Sequence, residues 1–532
     1  MSSTPSTGRA VIAEGRDVLG ISLGSTRIKA VLTDPAGQPL ASGSHAWENQ
    51  FVDRRWTYSE EDIWSGLQAC HAALCADAEE QYGVRPTTLA AMGVSAMMHG
   101  YLAFDADGEL LVPFRTWRNT STGPAADALT ELFGHTVPLR WSVAHHYQAV
   151  LDDEPHVPAV ASLTTLAGYV HRRLTGRDVL GVGDASGMFP VDPRTRDYDE
   201  DLLARYDALL AGRGPAGGLR ALLPQVLVAG QDAGRLTPAG AALLDPTGTL
   251  VPGALLCPPE GDAGTGMVAT DAVAPRTGNV SVGTSVFAMA VLERPLSRPH
   301  PEVDLVTTPA GDPVAMVHCN NGASELGAWA GVFGRFAAAL GHPTEPDVVF
   351  GTLLREALDG DADGGGLLAY NYLAGEPITG CTDGRPLVVR TPDSELTLAN
   401  FARTQLYSAF ATLSLGMEVL AEEGVELDVM VAHGGLFRTE GVAQRMLAAA
   451  LGMPVAVGDG AGEGGAWGIA LLAAYAAAPQ GANLGEHLHR SVFAARRPVT
   501  VAPDPADRQG YLRFLTAYRA GLSLERTAAD AV

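Results

Sequence analysis

The stretch DVLGISLGSTRIKAVLTDPAGQPLASGSH, residues 17–45, decides the fold of the first half of the chain. An apolar run over 17–23 enters a Gly-Ser-Thr-Arg turn at 24–27, and a second apolar run over 28–33 leaves it. Asp, Pro, Ala and Gly supply the next turn before a third strand-like segment over 39–45. The pattern predicts a meander of three strands.

A helix is predicted to lie over this meander. The capping box Ser59-Glu60-Glu61-Asp62 precedes apolar residues that recur at helical spacing from Ile63 to Leu74. Residues 1–16 are polar and small instead, so we predict a disordered leader there.

The same order of strand, turn and strand returns about half the chain later. Residues 280–292 place Gly283-Thr284-Ser285 between two apolar runs, as residues 21–32 do around Gly24. A repeat at this distance predicts two similar domains.

Gly and Pro concentrate over 252–266, where we place the hinge. The predicted domains are 17–260 and 261–480, followed by a C-terminal extension over 481–532. Within the second domain we predict alternating elements: a helix over 401–423, a strand over 429–433, a helix over 441–451, a strand over 454–457 and a small-residue helix from 462 to about 478. This order indicates an α/β fold with buried strands.

Composition excludes several classes of protein. With 46% hydrophobic and 18% charged residues in 532, the chain buries large cores and is not a disordered segment. The 36 basic and 60 acidic residues give a net charge of −24, which repels a phosphate backbone, so we expect no nucleic-acid partner. No apolar run has membrane-spanning length and the start has no signal-peptide pattern, so we expect a cytoplasmic protein without a membrane partner.

The cysteines and the single lysine exclude further kinds of site. The five cysteines are widely spaced without a C-x-x-C pair, which predicts reduced core residues rather than disulfides or a zinc site. Lys29 is the only lysine, and Ala30 follows it, which excludes a Walker A loop because that loop needs Lys followed by Ser or Thr.

The turn Gly24-Ser25-Thr26 presents consecutive backbone N–H groups and hydroxyls, which suit a phosphate. An ordinary hairpin turn is the alternative for one such turn. A second turn at Gly283-Thr284 favours a pair of loops that hold the β- and γ-phosphates of a nucleotide. Lys29 lies just after the first turn and gives mild support to the phosphate interpretation.

Three residues suit a sugar. His99 follows an apolar strand and lies at its C-terminal end, where α/β proteins bind ligands, although a structural histidine is the alternative. Trp117 and Asn119 combine an aromatic face with amide donors, which fits the apolar face and hydroxyl edge of a sugar. A core tryptophan is the alternative there.

Two aspartates compete for the role of general base. Asp262 lies in the Gly-rich segment GDAGTG at the predicted hinge, and Asp184 lies in GDASG. Phosphoryl transfer to an alcohol needs a positioned base for the hydroxyl proton, and either carboxylate supplies one. Turn-forming aspartates are the alternative for both.

Two further motifs are weak. The loop DGDADG, residues 359–364, begins like an EF-hand, but Tyr370 occupies the twelfth position, so calcium is not predicted. Gly460, Gly462 and Gly465 match a dinucleotide fingerprint without an acidic residue about 20 positions later. We interpret these glycines as a helix start close to a nucleotide, with a dehydrogenase as the alternative.

Taken in order, LGISLGSTRIKAV, SAMMHGYLAFD, TWRNT, GDAGTG, SVGTS and HGGLFRTEGVAQRMLAAALGMPV resemble the FGGY carbohydrate kinases, and the resemblance runs from about residue 18 to residue 478. The resemblance implies two actin-like, ribonuclease-H-like domains flanking a nucleotide and sugar cleft. It also implies ATP and Mg²⁺ between the domains and cleft closure that joins the substrates.

The same resemblance assigns roles to individual residues. Asp262 matches the catalytic base, although Ala263 departs from the usual polar neighbour, and Asp184 matches a position that is not the base. The other matches are Met98 and His99 for the Met-His pair of xylulokinases, Trp117 and Asn119 for the substrate strand, Gly283 and Thr284 for the second phosphate turn, and Gly434, Gly435 and Leu436 for the adenosine loop.

One departure from the family is large. The family's first turn reads D-x-G-T, with the Asp serving the metal, and Ser22 stands in that place. A hydroxyl cannot supply the charge, so Mg²⁺ would be held through waters and other carboxylates. Ser25 replaces the usual Thr, which is a milder change because the hydroxyl persists.

The sequence therefore predicts ATP-dependent phosphorylation of a ketose hydroxyl, with a pentulose as the favoured substrate. The alternative is a non-catalytic sugar or nucleotide sensor that lost metal chemistry at Ser22. The expected partner is a small-molecule sugar, and a homodimer is left open.

Overall fold

The computed structural model describes residues 5–210, 212–213, 217–458, 464–478, 481–494, 496 and 498–531. The chain divides into two compact units. The first contains Met1–Ala274, Leu305–Val314 and Glu463–Ala495, and the second contains Pro275–Asp304, Ala315–Gly462 and Arg496–Val532. Each unit is assembled from segments that are distant in the sequence.

The predicted meander forms the middle of the first unit's sheet. Val18–Leu23, Arg27–Thr33 and Pro39–Ala46 pair as antiparallel neighbours, which confirms the three predicted strands. Ala91–Ala96 runs parallel to the first of them, and the short strands Leu255–Leu256 and Glu260–Gly261 both pair with Ala91–Ala96 in parallel. The C-terminal ends of three parallel segments therefore meet at one edge, where α/β folds place ligands.

Two helices pack against this sheet at glycines. Helix Glu60–Tyr82 starts at Ser59, whose hydroxyl accepts the N–H of Asp62, and lies over the meander as predicted. A Cβ on Gly43 would lie 2.3 Å from the carbonyl oxygen of Cys70 in that helix. A Cβ on Gly20 would lie 2.0 Å from the carbonyl oxygen of Ala466 in the second helix. Only glycine allows backbones to approach this closely.

The rest of the first unit consists of short helices and two-stranded pairs. Its other strands are Gln50–Val52, Arg55–Thr57, Leu102–Phe104, Ser162–Thr164, Val179–Gly181, Val191–Asp192, Asp197–Tyr198 and Gln225–Leu227. Its other helices are Pro5–Ala13, Gly123–Phe133, Ser142–Leu151, Val157–Ala159, Leu166–Thr175, Val182–Ala185, Glu200–Leu210, Leu219–Ala221, Pro238–Leu244, Asp262–Ala269, Gly464–Ala477, Leu484–His487 and Leu488–Val492.

The predicted disordered leader is wrong for the part that the structure describes. Residues Pro5–Ala13 form a helix, and Val11 and Ile12 are buried in the main core of the first unit. The prediction weighed the polar residues of this segment and overlooked the apolar pair. Residues 1–4 lie outside the described residues.

The predicted hinge over 252–266 is not a linker. It contains two strands and the start of helix Asp262–Ala269, all within the first unit. The small-residue helix, found over Gly464–Ala477, also belongs to the first unit and not to the predicted second domain. A Cβ on Gly468 would lie 2.0 Å from the carbonyl oxygen of Thr265, so its small residues let it pack closely on helix Asp262–Ala269.

The second unit has a sheet of its own. Among the described residues this sheet has seven strands, in the order Asp304–Thr307, Pro313–Cys319, Val286–Val291, Thr277–Val282, Val429–His433, Val455–Val457 and Val499–Val501. Thr277–Val282 forms an antiparallel hairpin with Val286–Val291 and pairs in parallel with Val429–His433. Val18–Leu23 has the same two kinds of neighbour in the first unit, which confirms the predicted repeat.

The helices of the second unit are Ser324–Ala339, Pro346–Glu356, Ala357–Asp359, Pro377–Thr379, Leu398–Glu422, Gly435–Arg438, Val442–Leu451, Pro505–Ala520 and Leu522–Ala531, and a further strand pair joins Leu368–Tyr370 to Leu387–Val389. The predicted elements over 401–457 are thus confirmed within a few residues. All five cysteines are buried and free, as predicted. No helix among the described ranges is long and apolar enough to cross a membrane.

Candidate active site

Asp262 begins a helix at the edge of the first unit's sheet. It is the first residue of Asp262–Ala269, and its Oδ1 accepts the backbone N–H of Met98 at 3.3 Å. The side chain is open to solvent, yet the protein atoms crowded around it disfavour the charged form and raise the pKa of Asp262 to about 6. A reachable carboxylate with this pKa is suited to accept a proton near neutral pH.

Met98 lies against Asp262, and Met98 and His99 each pack against a glycine. A Cβ on Gly261 would come within 2.1 Å of Met98 Cγ, and a Cβ on Gly187 would come within 2.7 Å of His99 Nδ1. His99 Nδ1 lies 3.2 Å from the carbonyl oxygen of Gly187. The backbone of His99 has a left-handed φ of 69°, which is costly for a residue with a side chain and is found at functional sites.

Asp184, the competing base, is inaccessible. Only 1% of it is exposed, and its Oδ2 accepts a hydrogen bond from the hydroxyl of Thr165 at 2.6 Å. Burial is the main cause that raises the pKa of Asp184 to about 7, and the nearby charge of Asp262 adds to it. A substrate hydroxyl cannot reach this carboxyl group, so the geometry favours Asp262.

Trp117 contacts the first turn, and Asn119 contacts the neighbouring strand Arg55–Thr57. Trp117 donates its indole N–H to Ser25 Oγ at 3.2 Å. Asn119 clamps Trp56: its Oδ1 accepts the N–H of Trp56, and its amide donates to the carbonyl oxygens of Trp56 and Thr116. Both N–H groups of Asn119 are therefore already used, and its predicted donation to a sugar does not fit this geometry.

Aromatic side chains brace the first turn. Trp47 donates its indole N–H to the carbonyl oxygen of Gly24 at 2.7 Å, and the Tyr58 hydroxyl donates to that of Ser25 at 2.5 Å. The rings of Trp47 and Tyr58 stack with centroids 4.1 Å apart. Two carbonyl oxygens of the turn are thereby fixed, while Thr26 remains exposed.

The second unit brings its predicted nucleotide residues together. Gly434 has φ 112°, and a Cβ there would lie 2.3 Å from the carbonyl oxygen of Val282, directly before the turn. Gly283 and Thr284 are exposed, and their carbonyl oxygens accept the N–H groups of Ala323 and Gly322. Leu436 is buried in the short helix Gly435–Arg438, and the space beside Gly435 is open.

Comparison with known proteins agrees with this arrangement. The N-terminal domain of the FGGY family of carbohydrate kinases matches residues 18–255, and its C-terminal domain matches residues 278–477. The chain belongs to the FGGY family of carbohydrate kinases. Its fold is the two-domain ribonuclease-H-like fold of that family.

Individual relatives differ in the substrate that their names state. A xylulose kinase of Streptomyces coelicolor is 29% identical over 303 residues, which are 53% of this chain and 56% of that protein. The chain thus aligns with little more than half of this curated relative. A gluconate kinase from Lactobacillus acidophilus superposes with a TM-score of 0.78 at 18% identity, covering 96% of this chain and 98% of that one. A Plasmodium falciparum glycerol kinase with ADP superposes with a TM-score of 0.72 at 12% identity, covering 96% and 98%.

The FGGY turn of this chain has hydroxyls where the family has a carboxylate. Ser22 is buried beside Ser95, its register partner, and Ser95 Oγ lies 3.0 Å from Thr265 Oγ1. A Cβ on Gly465 would approach Ser22 Oγ to 2.7 Å. Within the described ranges, no group of three or more His, Cys, Asp or Glu side chains is arranged to hold a metal ion. These residues do not fit a magnesium site built from the protein.

Lys29 shares a face with Ser22. The two residues are cross-strand partners in the hairpin, and directly opposed side chains point to the same side of a sheet. The two remaining glycines of the weak dinucleotide motif, Gly460 and Gly462, lie outside the described residues.

The residue that the sequence analysis missed is Glu260. It is 1% exposed and precedes the turn into Asp262, and its carboxyl oxygens accept the N–H groups of Gly183 and Asp184 at 3.3 and 2.9 Å. The signal in the sequence was a second acid, two residues before Asp262, inside the apolar and Gly-rich run of the supposed hinge. The hinge interpretation concealed it.

Proposed function

We propose that this FGGY family member transfers the γ-phosphoryl group of ATP to a primary hydroxyl of a ketose, with a pentulose as the favoured acceptor. Family membership supports a carbohydrate kinase, and the name of the Streptomyces relative supports xylulose. ADP in the Plasmodium relative supports an adenine nucleotide. The relatives named for gluconate and glycerol show why family likeness alone does not select the acceptor.

The observation that carries the proposal is the exposed Asp262 carboxylate beside the Met98–His99 segment. In the proposed reaction, the acceptor hydroxyl gives its proton to Asp262 while its oxygen forms a bond to the γ-phosphorus. The bond from that phosphorus to the β–γ bridging oxygen breaks, and ADP leaves. Asp262 is mostly ionised above its pKa of about 6, so it is ready to accept the proton at neutral pH.

His99 and the first turn have binding roles in this proposal. In this proposal His99, whose ring is held against Gly187, contacts a sugar hydroxyl, and Met98 supplies an apolar surface. Ser25 and Thr26 offer hydroxyls to a phosphate, and Lys29 offers a positive charge on the face of Ser22. Mg²⁺ enters as part of the nucleotide substrate, and no step is assigned to it.

The test is ADP release measured against ketopentoses, ketohexoses, polyols and aldonates, with Asp262→Asn as the matched inactive control. We expect turnover with at least one ketopentose at a kcat/KM at least tenfold above that for glycerol and gluconate. Sugar or nucleotide binding without turnover for every compound would contradict the proposal and favour the sensor alternative, which the hydroxyls around Ser22 suggest.

The homodimer stays a prediction. Val332, Phe336 and Leu340 on or next to helix Ser324–Ala339 are each more than half exposed, which offers an apolar face for self-association. Sedimentation velocity over a range of protein concentrations tests it, with Phe336→Glu as the variant expected to shift the protein toward monomer.

A further inference from the structure

Two carboxyl groups behind Asp262 remain without a role in the proposed reaction. Asp184 and Glu260 are each 1% exposed, and neither is reachable by a substrate. Asp184 Oδ1 is buried and has no hydrogen-bond partner among the described residues. A buried acid with an unpartnered oxygen is costly, so its presence beside the proposed base calls for a physical reason.

Glu260 holds the segment that carries Asp184. Its carboxyl group accepts the N–H groups of Gly183 and Asp184, and the carbonyl oxygen of Pro259 accepts the N–H of Gly181 at 2.8 Å. A Cβ on Gly181 or Gly183 would come within 2.2 or 2.4 Å of the Glu260 carboxyl oxygens. A side chain at either glycine would therefore displace the carboxyl group of Glu260.

The same contacts bring Asp184 beside the base. A Cβ on Gly261 would lie 3.4 Å from Asp184 Oδ1, and Asp262 is the next residue. The charge of Asp262 opposes ionisation of Asp184, and the charge of Asp184 opposes ionisation of Glu260. Three carboxyl groups are thus electrostatically connected in the order Asp262, Asp184, Glu260.

We propose that Glu260 and Asp184 are positioning residues for Asp262. Glu260 locks the Gly181–Asp184 segment against the strand that leads into the base, and the two buried carboxyl groups determine how much negative charge the base faces. Neither group touches the substrate. The inference rests on the proposed kinase function where it is tested by the pH dependence of activity, and does not rest on it where it is tested by the pH dependence of Tm.

The pKa values give the direction of the effect. Burial raises the pKa of Glu260 to about 8, so Glu260 is a neutral acid up to that pH and adds a charge behind Asp184 only above it. The other titratable groups that face the pair are Tyr198 and Cys257, and burial raises the pKa of both far above this range, so they stay neutral.

The first readout is the pH profile of kcat/KM for the sugar identified by the panel. We expect the wild type to lose activity below about pH 6, as Asp262 gains a proton, and above about pH 8, as ionised Glu260 adds negative charge that repels the phosphates of the nucleotide. In Glu260→Gln the alkaline loss should vanish. In Asp184→Asn the acid limb should stay in place, because Asp184 has a pKa of about 7 and is mostly neutral where Asp262 titrates.

Asp17→Asn is the matched control. Asp17 is completely buried in the same unit, both its oxygens lack a partner among the described residues, and burial raises its pKa to about 7. Neutralising it should leave both limbs of the activity profile in place. An alkaline limb that persists in Glu260→Gln would overturn the inference, as would an equal change in Asp17→Asn.

The second readout needs no activity. The pKa of Glu260 is raised by folding from 4.5 to about 8, so the folded state binds the proton more tightly than the unfolded state over that window. Stability linked to this proton is fully present below about pH 4.5 and is lost as pH rises to about 8. The Tm of Glu260→Gln should therefore fall less than that of the wild type over this window.

The fall in Tm with rising pH should also depend on Asp262 if the three carboxyl groups interact electrostatically. The difference in Tm decline between wild type and Asp184→Asn should shrink when both carry Asp262→Asn. A wild type that phosphorylates no sugar would refute the proposed function alone, and additive Tm changes would refute the connection alone. If Glu260→Gln does not fold, Asp184→Asn replaces it in the Tm measurement: the decline must end at a lower pH than in the wild type, because the charge of Asp184 no longer opposes ionisation of Glu260, and an unmoved decline overturns the inference.

Discussion

Gly187→Ala tests the placement of His99 directly. The carbonyl oxygen of Gly187 lies 3.2 Å from His99 Nδ1, and a Cβ at this position would lie 2.7 Å from the same nitrogen and 3.0 Å from Met98 Cε. Contacts under 3.0 Å are essentially never seen for real Cβ atoms. The backbone φ of Gly187 is not in the left-handed region, so alanine is compatible with the backbone there. The strain falls on the side chains of Met98 and His99.

The size of the effect follows from this displacement. His99 Nδ1 must retreat by about 0.7 Å to reach an ordinary contact of 3.4 Å. Overpacking of this kind costs about 1–3 kcal/mol, and each 1.4 kcal/mol corresponds to a factor of ten in an equilibrium. If the strain is released by moving His99, we expect the KM for the sugar to rise about 5-fold to 140-fold.

The assay separates the two substrates. The KM for ATP should stay within about twofold of the wild type, because the strained contacts involve Met98 and His99 and not the first turn. Gly123→Ala is the matched control, since a Cβ there meets no atom within 4 Å and its φ is ordinary. A sugar KM unchanged in Gly187→Ala would show that His99 does not bind the sugar or is not held by Gly187.

Three further predictions follow from the same geometry. Asp262→Asn should lower kcat by about 10²–10⁴ with nearly unchanged binding of both substrates, and near-normal kcat would move the base to another carboxylate. Ser22→Asp should lower the Mg²⁺ concentration for half-maximal activity if the metal is held as in the rest of the family, and a Mg²⁺ titration showing an unchanged or raised requirement would contradict this. Asp507→Asn should lower the free energy of unfolding by about 3 kcal/mol in urea titrations, because Asp507 bridges Arg403 and Arg445 and the buried Arg403 would lose its partner; a loss below about 1 kcal/mol would disprove this role.

Local patterns predicted the strands and helices well because those patterns are short-range. Alternation and turn residues over 17–45 specify the meander, and Ser59 specifies the start of the helix above it. The pairing of distant segments has no such signal. Helix Gly464–Ala477 joins the first unit because Gly20 and Gly468 leave room for its backbone, which is a property of the assembled core and not of residues 464–477 alone.

In the candidate site, too, local motifs were predicted and contacts between distant segments were not. Asp262, Met98 and His99 were found from motifs, and the structure brings them together. Asn119 was assigned to the sugar from its chemistry alone, but its hydrogen bonds to Trp56 and Thr116 use both amide N–H groups. Glu260 was passed over, because its contacts with Gly181 and Gly183, which are distant in the sequence, are visible only in the structure.

Register explains how the polar residues of the first unit are distributed. Lys29 is the partner of Ser22, Ser22 of Ser95, and Ser95 of Glu260, so these four residues form one row across the sheet near the C-terminal ends of its parallel strands. The row carries one basic and one acidic residue at its two ends and hydroxyls between them. An aspartate at position 22 would add a charge next to Lys29 and two strands from Glu260, a neutral acid at pH 7. The response of this site to Ser22→Asp should therefore depend on pH: below about pH 8 Lys29 partly neutralises the new charge, and above it ionised Glu260 adds negative charge that favours tighter retention of a cation.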